Sequence, residues 1–195
     1  MNTQSFPKFL GWTGLVGGFL WLVTLIAEYS LNLQPPMGDG PLYVINQLLV
    51  FFAFAGIGLG YLGIRFVGGA KGKLGGIGVW LAMVGYFLIV LAGIVALVLR
   101  SDDSPIFLLF PLGGLLMDVG VLLTGIAVIR TAHWRSWRRF MPLLYAAYLW
   151  LAIEIPFLLD AYPDGPGFAL EVVQALGLIG VGLATWRESR LHKAE

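Results

Sequence analysis

The chain has 195 residues, of which 58% are hydrophobic and only 12% carry a formal charge. This charged fraction is about half that of a soluble domain, so the composition argues against an ordinary soluble fold. The net charge is +1 and the chain has no cysteine. Disulfides, thiolate chemistry, cysteine-ligated zinc and iron–sulfur clusters are therefore excluded.

Six apolar runs follow one another along the chain. A bilayer-spanning helix needs about 20 mostly apolar residues, and each run is about that long. The runs are Phe9–Tyr29, Leu42–Ile64, Leu74–Leu99, Ile106–Ile129, Phe140–Leu159 and Gly167–Trp186. The sequence therefore predicts an all-α integral membrane bundle of six transmembrane helices, forming a single domain over residues 1–195. We expect the first run to be retained, because it is too long for a signal peptide.

Basic residues alternate with these runs and predict the orientation. Eleven of the twelve lysines and arginines flank the runs on one side, and only Arg100 lies in another gap. The eleven are Lys8, Arg65, Lys71, Lys73, Arg130, Arg135, Arg138, Arg139, Arg187, Arg190 and Lys193. By the positive-inside rule, we expect a multi-pass protein of the inner (cytoplasmic) membrane with both termini cytoplasmic. The connections Gln34–Pro41, Ser101–Ser104 and Tyr162–Pro166 would then lie outside.

The glycine pattern is compatible with three tandem helical hairpins. Gly60, Gly125 and Gly182 each lie five residues before an arginine, at the basic ends of the even-numbered runs. Equal helix lengths combined with positive-inside selection would give a similar spacing, so both interpretations stay open. Glycines within the runs favour close helix packing, either within the bundle or against partner membrane helices.

Two acids lie within the predicted spans. Asp118 is midway through the fourth run, and Glu154 lies in the outer part of the fifth, two residues before Pro156. Placing an ionised group at such depth costs at least roughly 2.5–3.5 kcal/mol. We therefore expect each carboxyl either to be protonated and hydrogen-bonded or to line a wet cavity. For Asp118, the structural alternative is a hydrogen bond to a neighbouring carbonyl or to Thr124.

Further polar side chains gather near the outer ends of the helices. They are Glu28, Gln47, Glu171 and Gln174. Together with Asp118 and Glu154, they are our candidates for ligand binding or proton relay in a cavity that opens outward. The third run carries only Tyr86 as a polar group, so we expect it to contact lipid.

The segment His133–Arg139 is dense in basic and aromatic residues. We interpret it as an interfacial loop, with Arg135, Arg138 and Arg139 as candidates for binding lipid headgroups. Trp134 is expected near the same interface. One short loop at a membrane does not support a nucleic-acid site, so lipids are the expected partners of this segment.

The remaining motifs give no catalytic signature. There is no phosphate-binding glycine loop, no HExxH and no nucleophile elbow, and His133 and His192 both fall in basic segments. The sequence predicts no cofactor and no metal site. It favours binding or transport of a small solute, cation or proton through the acidic cavity. The alternatives are a non-catalytic accessory or assembly subunit of a membrane complex, and a membrane-embedded enzyme that uses paired carboxylates.

Overall fold

A computed structural model of the chain describes residues 5–33, 40–99, 108–161 and 167–191. These ranges contain no β-strand, and six of their helical spans are long and apolar enough to cross a membrane. The predicted all-α bundle is therefore confirmed. The first four spans are α1 (Ser5–Leu31), α2 (Gly40–Phe66), α3 (Gly72–Leu99) and α4 (Leu109–Thr131). Most of the predicted outer connections lie outside the described residues, as do Arg100, His192, Lys193 and the predicted start of the fourth run at Ile106.

The fifth span is not a uniform α-helix. A 3₁₀ turn at Ser136–Arg139 leads into α5 (Met141–Tyr148), which continues through a π-helical turn at Leu149–Glu154 into α6 (Ile155–Leu158). Pro156 lies two residues after the last residue of the π turn, and its missing N–H cannot take part in α-helical hydrogen bonding. Single π turns inside α-helices are frequent at functional sites. The last span is α7 (Gly167–Leu191).

The six spans form a ring that follows the order of the chain. Each span packs against the next, from α1 through α2, α3 and α4 to the α5 segment and α7, and α7 closes the ring against α1. The pairs α1/α2, α3/α4 and α5/α7 are thus neighbours, as three consecutive hairpins require.

Glycines allow close approach where α1 passes between α2 and α7. A Cβ added at Gly14 would lie 2.9 Å from the Gly60 Cα and 3.8 Å from the Gly182 Cα. The repeated glycines do not occupy equivalent places, however. Gly60 faces α1 of its own hairpin, whereas Gly125 faces Leu143 of the following hairpin. This difference gives no support to a threefold repeat.

Apolar side chains cover the outside of the bundle, as a surface in contact with lipid requires. Exposed examples from four helices are Phe19, Phe52, Val84 and Leu115. The helix α3 contributes to this surface, but its opposite face is buried and carries Tyr86, which is only 1% exposed. Tyr86 thus points into the protein, where the candidate site lies.

Candidate functional site

The two ends of the bundle differ in charge. The basic end holds Arg65, Arg130 and Arg187 at the ends of α2, α4 and α7. The acidic end is opposite, where Glu28 and Glu171 lie near the ends of α1 and α7. The terms basic end and acidic end refer to these residues and do not state which side of the membrane each end faces.

Asp118 and Glu154 form a carboxyl pair. Asp118 projects from α4 and is 3% exposed, while Glu154 is partly buried at the end of the π turn. The two side chains lie close enough for a direct hydrogen bond. An ionised carboxylate only accepts hydrogen bonds, so such a bond requires at least one of the two to carry a proton. The predicted bond between Asp118 and Thr124 does not form, because the Thr124 hydroxyl has no partner among the described residues.

The π turn helps to hold the pair together. Its buried residues Leu149 and Ile153 anchor the turn in the core. The indole Nε1 of Trp150 donates a 3.3 Å hydrogen bond to the backbone carbonyl of Asp118. The turn therefore attaches to α4 at the same residue whose side chain meets Glu154.

A second polar cluster lies at the acidic end, between α1 and α2. Glu28 Oε1 accepts hydrogen bonds from the Asn46 side-chain amide at 3.0 Å and from the Gln47 amide at 3.1 Å. Asn46 is buried. Sequence reasoning selected Gln47 but not Asn46, although the sequence shows the two amides side by side.

Glu171 of α7 joins this cluster from the other side of α1. Its side chain interacts with Tyr29, and its charge is close enough to act on Glu28. The Tyr29 and Phe168 rings pack with their centroids 4.8 Å apart, which fixes α7 against α1 at this level. The predicted grouping of Glu28, Gln47 and Glu171 is thus present in the structure.

Three buried tyrosines, Tyr61, Tyr86 and Tyr145, lie near the carboxyl pair. The Tyr145 hydroxyl is directed toward Gln174 and Tyr86. Tyr61 and Tyr86 stack with ring centroids 5.9 Å apart. All three tyrosines lie close enough to Asp118 for its charge to act on them. Sequence reasoning missed this cluster. The available signal was that each tyrosine carries a polar group within an otherwise apolar run.

The basic end is closed by the loop that sequence analysis assigned to the interface. Trp134 is 1% exposed and packs over Gly69, and Thr131 donates a 2.8 Å hydrogen bond to the Gly69 carbonyl. Trp134 is therefore buried at the basic end and does not lie on the outer surface of the bundle. Arg138 Nε forms a 3.0 Å ion pair with Glu188 of α7.

The arginines predicted to bind lipid have contacts within the protein. The backbone N–H of Arg135 donates to Glu188 at 3.3 Å, and the Arg139 guanidinium lies 4.5 Å from the centre of the Phe140 ring. The Nε of Arg138 is engaged in the ion pair with Glu188. Lipid binding by these three residues stays a prediction.

Two cavities in the described part of the protein lie away from the acids. One, of about 10 Å³, lies between α1, α2 and α7 and borders Tyr61 and Thr185. The other is an open groove on α3 beside Arg65, Lys73 and Trp80. Among the residues that the structure describes, no group of three or more histidines, aspartates or glutamates could hold a metal ion.

Comparison of the chain with protein-family models, with curated proteins and with solved structures finds no match. The proposed function therefore depends on the residues of this chain alone.

Proposed function

We propose that this protein binds a proton or a small cation between Asp118 and Glu154 and exchanges it with the acidic end of the bundle. The observation that carries the proposal is the pairing of two acids from different spans inside an apolar bundle. The six apolar runs contain no lysine or arginine that could neutralise them. Polar pairs at membrane depth commonly mark ion paths and proton relays.

Two adjacent carboxylates repel each other when both are ionised, and this repulsion is stronger where water is scarce. A shared proton removes the repulsion by placing one O–H donor between the two groups. A small cation would do the same by accepting oxygen ligands from both side chains, because hard cations prefer carboxylate and carbonyl oxygens. The pair therefore favours one bound positive charge over none.

The polar side chains near the acidic end supply a route for exchange. Glu171 and Gln174 lie one turn apart on α7, and Gln174 faces Tyr145 beside the pair. Glu28, held by Asn46 and Gln47, lies at the mouth of this route. Transport across the membrane would in addition require the basic end to open, where Trp134 fills the space over Gly69.

The accessory-subunit alternative gives the pair a purely structural role. In that case Asp118 and Glu154 would form a permanent hydrogen-bonded link between α4 and the fifth span. The protein would then bind neither protons nor cations reversibly. The two alternatives differ in whether the two carboxyls gain and lose protons or cations when the pH or the cation concentration of the solution changes.

The test compares the wild-type protein with Asp118→Asn and Glu154→Gln in detergent. Asp160→Asn is the matched control, since Asp160 is an exposed acid in the turn just after the same span. Asp160 has a φ of 56°, which asparagine tolerates as readily as aspartate. Infrared difference spectra recorded on a change of pH would report the C=O stretch of protonated carboxyls. Thermal-shift screens with alkali cations and amines would report ligand binding.

We expect a protonated-carboxyl band in the wild type and in Asp160→Asn, and its loss or weakening in both site variants. We also expect any stabilisation by cations to disappear in Asp118→Asn and Glu154→Gln, while the proteins stay folded. A wild-type spectrum without a pH-dependent carboxyl band, together with indifference to every cation, would exclude the proposal and favour the accessory-subunit alternative.

A further inference from the structure

The buried tyrosines leave an unusual number of polar atoms without partners. The hydroxyls of Tyr61, Tyr86 and Tyr145 are buried, and none of them has a partner at full hydrogen-bond geometry among the described residues. The same holds for Asp118 Oδ1. The Tyr86 and Tyr145 hydroxyls nevertheless face each other, and Gln174 faces Tyr145, whereas Tyr61 has no such neighbour among these residues. Nearly all buried polar groups in proteins are paired with protein or with ordered water, and an unpaired group is costly. For a buried hydroxyl such as that of Tyr61, ordered water is the expected partner.

These polar groups converge from four different helices. Tyr61 lies on α2, Tyr86 on α3, Asp118 on α4 and Tyr145 on α5. Tyr61 and Tyr86 are stacked, and each tyrosine lies within electrostatic reach of Asp118. These groups are therefore neighbours, and of the four only Tyr61 borders one of the two cavities described above.

The space next to Tyr61 matches a water molecule in size. The cavity between α1, α2 and α7 has a volume of about 10 Å³ and is lined in part by Gly14, Gly60 and Gly182. A buried site needs roughly 10–15 Å³ to hold one water molecule. The absence of side chains at the glycines creates this space, and Thr185 adds a hydroxyl to its lining.

We propose that Tyr61, at the edge of the tyrosine cluster Tyr61, Tyr86 and Tyr145, binds internal water in the cavity that it shares with Thr185. The Tyr61 hydroxyl donates to and accepts from this water. Water binding itself does not depend on the proposed function. The role of this water does rest on the proposed function, because the water would extend the proton-exchange route from Asp118 toward the basic end.

Replacing tyrosine by phenylalanine tests the proposal by the sign of the stability change. Removal of a truly unpaired hydroxyl relieves a desolvation cost, so the melting temperature should stay constant or rise. Removal of a hydrated hydroxyl breaks hydrogen bonds, so the melting temperature should fall. The matched control is Tyr148→Phe, since the Tyr148 hydroxyl donates a 2.6 Å hydrogen bond to the Leu170 carbonyl.

We expect Tyr61→Phe to lower the melting temperature by about as much as Tyr148→Phe does. If Tyr61→Phe is as stable as the wild type or more stable, the site is dry and the inference is wrong. Radiolytic hydroxyl-radical footprinting gives a second readout, because bound water generates radicals beside buried residues. Oxidation of Tyr61 supports the inference, and its complete protection contradicts it.

The carboxyl band separates this inference from the proposed function. Tyr61→Phe should leave the infrared band of the Asp118–Glu154 pair in place. If Tyr61 shows no sign of bound water while the carboxyl band is intact, only the water site is overturned. A hydrated Tyr61 without any pH-dependent band would overturn the proposed function alone.

Discussion

The glycine crossing of α1 and α2 gives a stability prediction that can be worked out from distances. A Cβ added at Gly60 would lie 2.5 Å from the Cα of Gly14 and 3.1 Å from its backbone nitrogen. Non-bonded carbon atoms pack at about 3.5–4.0 Å, so Gly60→Val forces the two helices apart by about 1 Å. The obstructing atoms belong to the backbone, and no side-chain rotation can relieve the overlap.

The magnitude follows from two opposing effects. Overpacking a close-packed interior costs roughly 1–3 kcal/mol. Valine has a slightly better helix propensity than glycine, which offsets only a few tenths of a kcal/mol. The same displacement loosens the neighbouring contact of Gly17 with Ala53 and Ile57. We therefore expect a loss of about 2–3 kcal/mol, which for a chain of this length lowers the melting temperature by roughly 4–12 °C.

The assay is thermal unfolding in detergent followed by tryptophan fluorescence, which suits a chain with seven tryptophans and no cysteine. Gly114→Val is the matched control, because nothing lies within 4 Å of a Cβ added at Gly114. Its melting temperature should stay close to that of the wild type. Equal melting temperatures for Gly60→Val and Gly114→Val would refute the close α1–α2 crossing.

Two further predictions concern the ends of the bundle. Glu188→Gln should lower the melting temperature, because the Arg138 and Glu188 side chains are only 13% and 7% exposed and breaking a buried pair costs up to about 3–5 kcal/mol. The control is the double variant Glu188→Leu with Arg138→Leu, which removes both charges. If this double variant is no more stable than Glu188→Gln, the loss does not come from leaving the Arg138 charge without its partner. For orientation, Ala161→Cys should label with an impermeant thiol reagent on intact cells and Lys71→Cys should not. The reverse labelling pattern would place the acidic end inside.

The six spans and the interior acids could be predicted from the sequence because both depend on local composition. A run of about 20 apolar residues is sufficient to indicate a span, whatever it packs against. An acid inside such a run stands out for the same reason, and this was enough to select Asp118 and Glu154. The grouping of Glu28 with Gln47 followed from their shared position near helix ends.

The pairing of Asp118 with Glu154 could not be predicted, because it depends on how α4 and the fifth span are rotated against each other. The π turn changes that rotation, and sequence periodicity does not reveal it. Tyr61 and Tyr86 gave a weak signal for another reason. Tyrosine occurs both at membrane interfaces and in cores, so its side-chain chemistry alone does not decide between the two. Trp134, which was expected near an interface, shows the same ambiguity, and it is buried as the two tyrosines are.

Pro156 connects the irregular helix to the carboxyl pair, and this connection can be tested. Proline is about 3 kcal/mol less favourable than alanine inside a helix, although less so in a first turn such as that of α6. We expect Pro156→Ala to raise the melting temperature, because the returned N–H lets the span adopt regular α-helical geometry. Pro142→Ala, at the start of α5, is the control for proline removal away from the pair.

Regular α-helical geometry should at the same time disturb the pair. A π turn contains one residue more than an α-helical turn. If the span becomes regular, the helix before the turn and the helix after it rotate by about 100° relative to each other, since an α-helix has 3.6 residues per turn. Glu154 would then turn away from Asp118, and the protonated-carboxyl band should weaken although the protein has become more stable. A rise in melting temperature with an unchanged band would mean that Pro156 does not position Glu154. A fall would mean that the π turn contributes to stability in its own right.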